Sequence, residues 1–407
     1  MVYVDAGDFT GDAGIPGQKQ TDALIEAMRT LGYLVTNVSQ REFLHGYDAL
    51  MARRTRGDPM AFISANIVWQ DSGIPVLDPT VVRKVTLRDD AKAREVRIGF
   101  IGLSKQNPAF LKEGPGGRRI VTADPLAAAE KYVPELKRKS DVVVALVSLD
   151  LDQARALPRK VKDVDLILGG IGAVQTRSDD FPEDTQFGKS HVFYIGDQGK
   201  NLGDVRLFFD EKKAITSAPR NLIGLTREWP DDAALAKLMQ TTKEAVNVFN
   251  QEQATAGPFA GAPQAAGGAA VPGGAVAPET YTGSDRCAPC HENEFAIWAR
   301  SKHARAFTTL VQAKQDYNPE CVRCHSIGFG KERGFVNAAA TPNLMNVGCE
   351  SCHGPSSRHP EPTAKGFGRI DTTFCRTCHT SENSPDFDPA TYIPKIQHWN
   401  EAKQAAR

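Results

Sequence analysis

The chain is 407 residues long and carries 49 basic against 49 acidic side chains, so it has no formal net charge at neutral pH. Neutrality without a long basic run argues against nucleic acid as a principal partner. No stretch approaches the roughly 18 apolar residues of a membrane-crossing helix, and the length suggests two or three domains.

The N-terminus, Met1-Val-Tyr-Val-Asp5, shows neither a positive leader region nor an apolar one, so no signal peptide is visible. From there to about residue 225 the pattern is α/β. Short β-rich runs recur at 2–4, 33–36, 61–64, 96–101, 142–147, 166–168, 192–194 and 205–209. Several are continuously apolar, as expected of strands buried on both faces. Between them, Gln18 to Leu31 places Leu24, Ile25, Met28 and Leu31 on one helical face, with Gly32 as the stop signal. Ala123 to Lys139 opens with Asp124-Pro125, a capping residue followed by proline at the first helical position. After Trp229-Pro230, Asp231-Asp232 can cap a helix to about Asn250, with Leu235, Leu238, Met239 and Val246 at helical spacing.

This region resembles the metallophosphoesterase domain of the 5′-nucleotidase family. The resemblance runs through Asp5-Ala-Gly-Asp8, Arg41-Glu-Phe-Leu-His-Gly-Tyr-Asp-Ala-Leu50, Ile63-Ser-Ala-Asn-Ile67 and Ile98-Gly-Phe-Ile-Gly-Leu103. It continues through residues 141–151, Val164-Asp-Leu-Ile-Leu-Gly-Gly170, Gly196-Asp-Gln-Gly199 and Leu202-Gly203. Such enzymes hold two metals about 3.5–4 Å apart on Asp, Asn and His side chains. By the resemblance, Asp8 keeps one ligand position. The G-N-H-E segment reads Ser39-Gln40-Arg41-Glu42, the S-H-L-G segment reads Val147-Ser148-Leu149-Asp150, and the G-G-H-x-H ending reads Gly169-Gly170-Ile171-Gly172-Ala173. The opening D-x-H strand would lie before Met1. His45 and His191 remain, but lone histidines are more often packed or surface residues than ligands. The expectation is a degenerate domain over residues 1–252 with no catalytic residues and the phosphoesterase metal ligands lost.

Residues 253–278 are almost wholly Ala, Gly and Pro. Such a run cannot bury enough apolar surface to offset its ordering entropy and reads as a flexible linker. Residues 279–407 contain one pentapeptide four times: Cys287-Ala-Pro-Cys290-His291, Cys321-Val-Arg-Cys324-His325, Cys349-Glu-Ser-Cys352-His353 and Cys375-Arg-Thr-Cys378-His379. C-x-x-C-H is the attachment signature of c-type haem. The thiols add to the two vinyl groups, and the adjacent histidine binds the iron. All 8 cysteines of the chain are used this way. Zinc half-sites or disulfides would not require a histidine after every second cysteine. Four covalent haems are expected, with His291, His325, His353 and His379 as proximal ligands.

Three further histidines, His303, His359 and His398, are candidates for the opposite face of the irons. Three spare histidines serve at most three of four haems. The fourth position is left open, or taken by Met345 or a histidine of another chain, which would favour self-association. A helix from Glu292 to about Gln312 is expected, with Phe295, Trp298, Phe307 and Leu310 able to pack on porphyrin. On such a continuous helix His303 would stand about 18 Å from His291 and reach a different haem. The remainder is expected to be short helices and loops with almost no sheet.

The segments Tyr281-Thr-Gly-Ser-Asp-Arg-Cys287, Trp298-Ala-Arg-Ser-Lys-His-Ala304, Gly328-Phe-Gly330 and Gly348-Cys-Glu-Ser-Cys-His-Gly-Pro355 with His359 look like the tetrahaem cytochrome c554 family. The likeness runs from about Tyr281 to Trp399. It implies three bis-histidine haems and one open haem, that of His325. The fold expected is thus multidomain: an α/β metallophosphoesterase-like sandwich, then a small, mainly α-helical multihaem cytochrome c domain. The function expected is electron transfer between redox partner proteins, in the periplasm or outside the cell. Haem propionates would make the loaded domain acidic and favour a basic docking patch on the partner. The alternatives are reduction of a small nitrogen oxide at an open haem, or a metal-dependent phosphohydrolase fused to a cytochrome.

Overall fold

A computed structural model describes residues 1–54, 59–87, 93–170, 185–196, 199–226, 228–256, 279–359, 372–380, 383–384 and 386–398. The chain divides into two compact units, Met1–Met239 and Gln240–Arg407.

The first unit is built on two main sheets, beside a third of Ile67–Trp69, Arg119–Thr122 and Lys112–Glu113. The larger runs, in spatial order, through Thr185–Phe187, Ser190–Tyr194, Leu166–Gly169, Val142–Ser148, Glu95–Ser104 and Thr80–Thr86. Its four inner strands are parallel and its two edge strands antiparallel. The smaller sheet is parallel and joins Tyr3–Asp5, Tyr33–Asn37 and Ala61–Ile63. Side chains alternate strictly along the central strands. Val142, Val144, Leu146, Ile98 and Phe100 share a core with Val35 and Ile63 of the smaller sheet. Val143, Ala145, Val147, Ile101 and Leu103 face the opposite way and pack on helix residues Ala129, Val133, Leu136 and Leu157.

The helices of that outer layer are α3 (Pro125–Lys139) and α4 (Leu151–Lys160). On the other side, α1 (Ile15–Thr30) and α2 (Tyr47–Arg53) cover the smaller sheet through Ile25, Met28 and Leu50. The result is a helix–sheet–sheet–helix sandwich. The local signals read from the sequence are present. The Asp124 carboxylate accepts from the Leu126 and Ala127 amides at the start of α3, and Gly32 takes a positive φ of 78° after α1.

Two differences from expectation are informative. The expected strand over 205–209 is split. Asn201–Val205 pairs with Arg220–Gly224, while Phe208–Phe209 pairs with Ile215–Ser217. The edge strand Thr80–Thr86 carries Arg83 and Lys84 and lacks a continuous apolar run, so periodicity alone does not reveal it. Residues 171–173 lie outside the described residues, as does 257–278 of the expected linker. The next helix, α5 (Ala233–Ala256), is capped by Asp232 and runs past Asn250.

The second unit is helical, and among its described residues no strand occurs, only an isolated bridge between Ser326 and Met345. Its helices after α5 are α6 (Glu292–Arg300), α7 (Ala306–Gln312), α8 (Pro319–His325), α9 (Cys349–His353) and α10 (Pro389–Tyr392). A small apolar core gathers Phe307, Leu310, Val322, Ile327, Phe335 and Leu344.

The single helix expected from Glu292 to Gln312 is a correction. The chain leaves α6 at Ser301, which is extended, and re-enters through a 3-10 turn at His303–Arg305 before α7. Residues 346–347 brace the bend. The Trp298 indole donates to the Val347 carbonyl at 2.8 Å, the Val347 amide donates to the His303 carbonyl at 3.2 Å, and the Phe307 amide donates to Asn346 Oδ1 at 3.0 Å. Tertiary bonds thus override a segment that has no glycine or proline to mark a break.

Candidate haem-binding site

The first C-x-x-C-H motif folds as a hydrogen-bonded turn, the second and third as short α-helix, and the fourth begins in a 3-10 helix, so each carries both thiols and the imidazole on a single short element. In the first motif the His291 amide donates to the Cys287 carbonyl at 3.0 Å, and in the fourth the His379 amide donates to the Cys375 carbonyl at 2.9 Å. The second and third motifs end α8 and form α9. The Asn318 side chain caps α8, accepting from the Glu320 amide at 3.1 Å. Gly348, just before α9, has no room for a side chain, since a Cβ there would stand 2.4 Å from both Ser284 Oγ and Ile327 Cδ1.

Glu350, inside the third motif, is buried at 3% exposure. Its carboxylate accepts from the amides of Thr282, Gly283 and Ser356 at 2.7–3.0 Å and from the Ser356 hydroxyl at 2.6 Å. Cys349 N adds a bond to Ser284 Oγ at 3.1 Å. One carboxylate therefore ties the segment leading into the first motif to the turn after the third. No local pattern marks Glu350 for this role, because its donors lie up to 68 residues away.

The histidines fall into pairs. His291 faces His359 with ring centres 6.2 Å apart, His379 faces His303 at 6.1 Å, and His353 faces His398 at 6.0 Å. Two metal–imidazole bonds of about 2.0 Å, with each ring centre roughly 1.2 Å behind its nitrogen, put opposed ring centres roughly 6.4 Å apart. All three gaps are close to what one six-coordinate metal between two imidazoles requires. His303 does reach a motif other than His291's, though it does so across a bend rather than along a continuous helix.

His325 is in none of these pairs. Its Nδ1 lies 2.7 Å from the Ala306 carbonyl. An Nδ1–H donated there leaves Nε2 as the metal-binding nitrogen. His379 is oriented by Ser384, whose Oγ lies 3.0 Å from its Nδ1, and by Phe387, stacked at 4.4 Å. Phe307 and Leu310 sit in the protein core, whereas Phe295 and Trp298 pack on each other at 5.2 Å.

The thiols report which motifs are neighbours. Cys287 lies beside Cys349, and Cys324 beside Cys378. Burial, then the field of Cys375, pushes the Cys352 thiol up to about 11. In space the motifs therefore run first, third, fourth, second. The donor set of paired thiols, a histidine beside each pair and a facing histidine at metal-spanning distance fits covalent haem.

The first unit also has a site at the ends of its strands. Asp8, in the left-handed region at φ 63°, accepts from the hydroxyls of Ser39 and Ser148. Glu42 is buried and accepts from the amides of Thr10 and Ser39 at 3.2 and 2.8 Å. Burial raises its carboxyl above the usual range. Arg41 donates to the Thr10 carbonyl and pairs with Asp12 at 3.3 Å. His45 bonds the Asp12 carbonyl, and His191 stacks on Phe193. Of the described positions aligned by resemblance with metal ligands, Asp8 and Ser148 bond each other, while Gln40 and Arg41 donate to the Lys105 and Thr10 carbonyls. Among the described residues no group of three or more His, Cys, Asp or Glu is placed to hold a metal ion.

Residues 286–354 match the family Cytochrome c554 and c-prime. A cytochrome c-554 of Nitrosomonas europaea is 37% identical over 90 residues, covering 18% of this chain and 38% of that protein. A 2′,3′-cyclic-nucleotide 2′-phosphodiesterase/3′-nucleotidase of Salmonella typhimurium is 24% identical over 270 residues, covering 63% of this chain and 39% of the relative. The chain thus spans well under half the length of either relative. Among solved structures, a 5′-nucleotidase precursor from Thermus thermophilus superposes with a TM-score of 0.50 at 21% identity, over 61% of this chain and 50% of that one. The N-terminal region therefore has the fold of the nucleotidase-type phosphoesterases, and the C-terminal region is helical and similar to cytochrome c554. Among the described residues no helix is long and apolar enough to cross a membrane.

Proposed function

We propose that this chain is a tetrahaem c-type cytochrome that passes electrons between redox partners outside the cytoplasmic membrane. The observation that carries this reading is the set of three opposed histidine pairs, each at the spacing of an axially filled iron. Cys287 and Cys290, Cys321 and Cys324, Cys349 and Cys352, and Cys375 and Cys378 would tether the haems. His291 with His359, His353 with His398 and His379 with His303 would hold the irons of three haems. Bound haem would supply one-electron redox chemistry at low potential. The protein's part is to saturate those irons, fix the ring tautomers and hold the four attachment sites in one file. Mass spectrometry and pyridine haemochrome assay of the full chain test the reading. Four haems per chain support it, and fewer than three would sink it.

A second reading is favoured by His325, which has no facing histidine. Its iron would keep a position for a small exogenous ligand, and a nitrogen oxide could be reduced there. Turnover with nitrite, hydroxylamine or nitric oxide tests it. For the first unit we infer loss of phosphoesterase activity, because Asp8 is held by the hydroxyls of Ser39 and Ser148, and Ser148 stands where the resemblance implies a histidine ligand.

A further inference from the structure

By its sequence, helix α5 groups with the nucleotidase-like region, yet from Gln240 onward it belongs to the second compact unit. Lys243, Val246, Asn247 and Asn250 recur at the spacing of one helical face. Val246, Asn247 and Asn250 are buried at 4%, 9% and 6% exposure. Such burial is unusual for two carboxamides.

The buried face has specific partners. Asn247 Oδ1 accepts from the Tyr317 amide at 3.0 Å, and its Nδ2 donates to Asp316 at 3.2 Å. Glu244 pairs with Lys314 at 2.7 Å. These three contacts fix the turn between α7 and α8, whose last residue is Asn318, the cap of α8. Burial pushes the Cys321 thiol up, and Lys243 is among the charges that oppose that push. Asn250 Nδ2 has no acceptor among the described residues. A buried amide donor left so is expected where a helix face is built against something other than protein.

We propose that residues 240–256 of α5 are a built part of the haem site of the second motif, with Asn247 as its positioning residue. The carboxamide sets the turn at 316–317, the turn sets the Asn318 cap, and the cap sets the helix that presents Cys321, Cys324 and His325. Of the four motifs, this is the one whose histidine has no facing histidine. Its ligand access therefore depends most on how rigidly its own helix is held. The inference rests on the reading that His325 would leave an iron position open.

The test uses the full, haem-loaded chain and carbon monoxide as probe, read as the dissociation constant at the ligand-accessible haem and as that haem's midpoint potential. Asn247→Ala should change the carbon monoxide dissociation constant by about tenfold, the scale seen when an outer partner of a metal ligand is removed. The low-spin spectrum of the other haems should be unchanged. Asn247→Asp sets a carboxylate against Asp316 and should shift the same haem. Adding Asp316→Asn restores the donor–acceptor pair and should return the constant toward wild type, which keeps the test usable if Asn247→Ala fails to fold. A wild-type protein that binds no carbon monoxide overturns the open-position reading itself. A wild-type protein that binds it, with variants indistinguishable from it or all haems lost equally, overturns the role of α5.

Discussion

His353 and His398 stand with ring centres 6.0 Å apart, one ending α9 and the other near the last described residue. His398 Nδ1 lies 2.9 Å from the Ile396 carbonyl, and an Nδ1–H donated there leaves Nε2 as the metal-binding nitrogen. His398→Ala should convert one low-spin haem of the loaded chain to high spin, while His45→Ala should convert none. Electron paramagnetic resonance measures this, and an unchanged high-spin fraction in His398→Ala would remove the pairing.

Ser384 and Phe387 fix the ring of His379. A hydroxyl accepting from Nδ1–H holds the tautomer and tunes the basicity of the bound nitrogen. Ser384→Ala should shift the midpoint potential of a single haem and leave the other three in place, as read by spectroelectrochemical titration.

Glu350 is the acceptor for buried amides from two segments. Glu350→Ala leaves those donors unpaired, at about 1–3 kcal/mol for each that water cannot reach. The expected outcome is a large loss of thermal stability in the haem unit, monitored by haem absorbance, together with incomplete loading of the first and third motifs. Glu350→Gln should be milder, since it keeps one acceptor oxygen.

Burial raises the Asp5 carboxyl to about 7, against the opposing bonds from Thr36 and the Gly7 amide and with help from the charges of Glu42 and Asp8. The unfolded chain releases this proton near pH 3.9. Between about pH 4 and about pH 7 the folded state therefore holds a proton that the unfolded state has lost, and stability falls as pH rises through that window. Above it, the contribution from Asp5 is level. Asp5→Asn should flatten the slope in melting experiments on the first unit. Some slope should remain, because Glu42 is raised for the same reason.

Hydrolysis of nucleotides or bis(p-nitrophenyl) phosphate with added manganese should be absent in wild type. If it is present and abolished by Asp8→Ala, the first unit is an enzyme after all.

Much of the fold was legible because local and global signals agree. Val142–Ser148 reads as a continuous apolar run, and it is buried on both faces for that reason. Asp124-Pro125 announces α3 by chemistry that works within one turn. The eight thiols and four adjacent histidines were visible in the same way, since the motif is local. The pairing of His359, His303 and His398 was not, because it is set by contacts between distant segments. The break after α6 was hidden for the same reason, as Asn346 and Val347 supply the bonds that bend it. Nothing local marks Asn247, whose role rests on its bonds to residues 316 and 317.

The spatial order of the motifs, first, third, fourth, second, has a consequence for how the protein is made. Only the third and fourth motifs are neighbours both in space and along the chain, so the second cannot pack until the fourth has been made, and His398 must arrive last to close on His353. Each motif is a single turn, too short to be stable alone, so the unit closes only once the C-terminus is available. Truncation before His398 would leave His353 without its facing histidine.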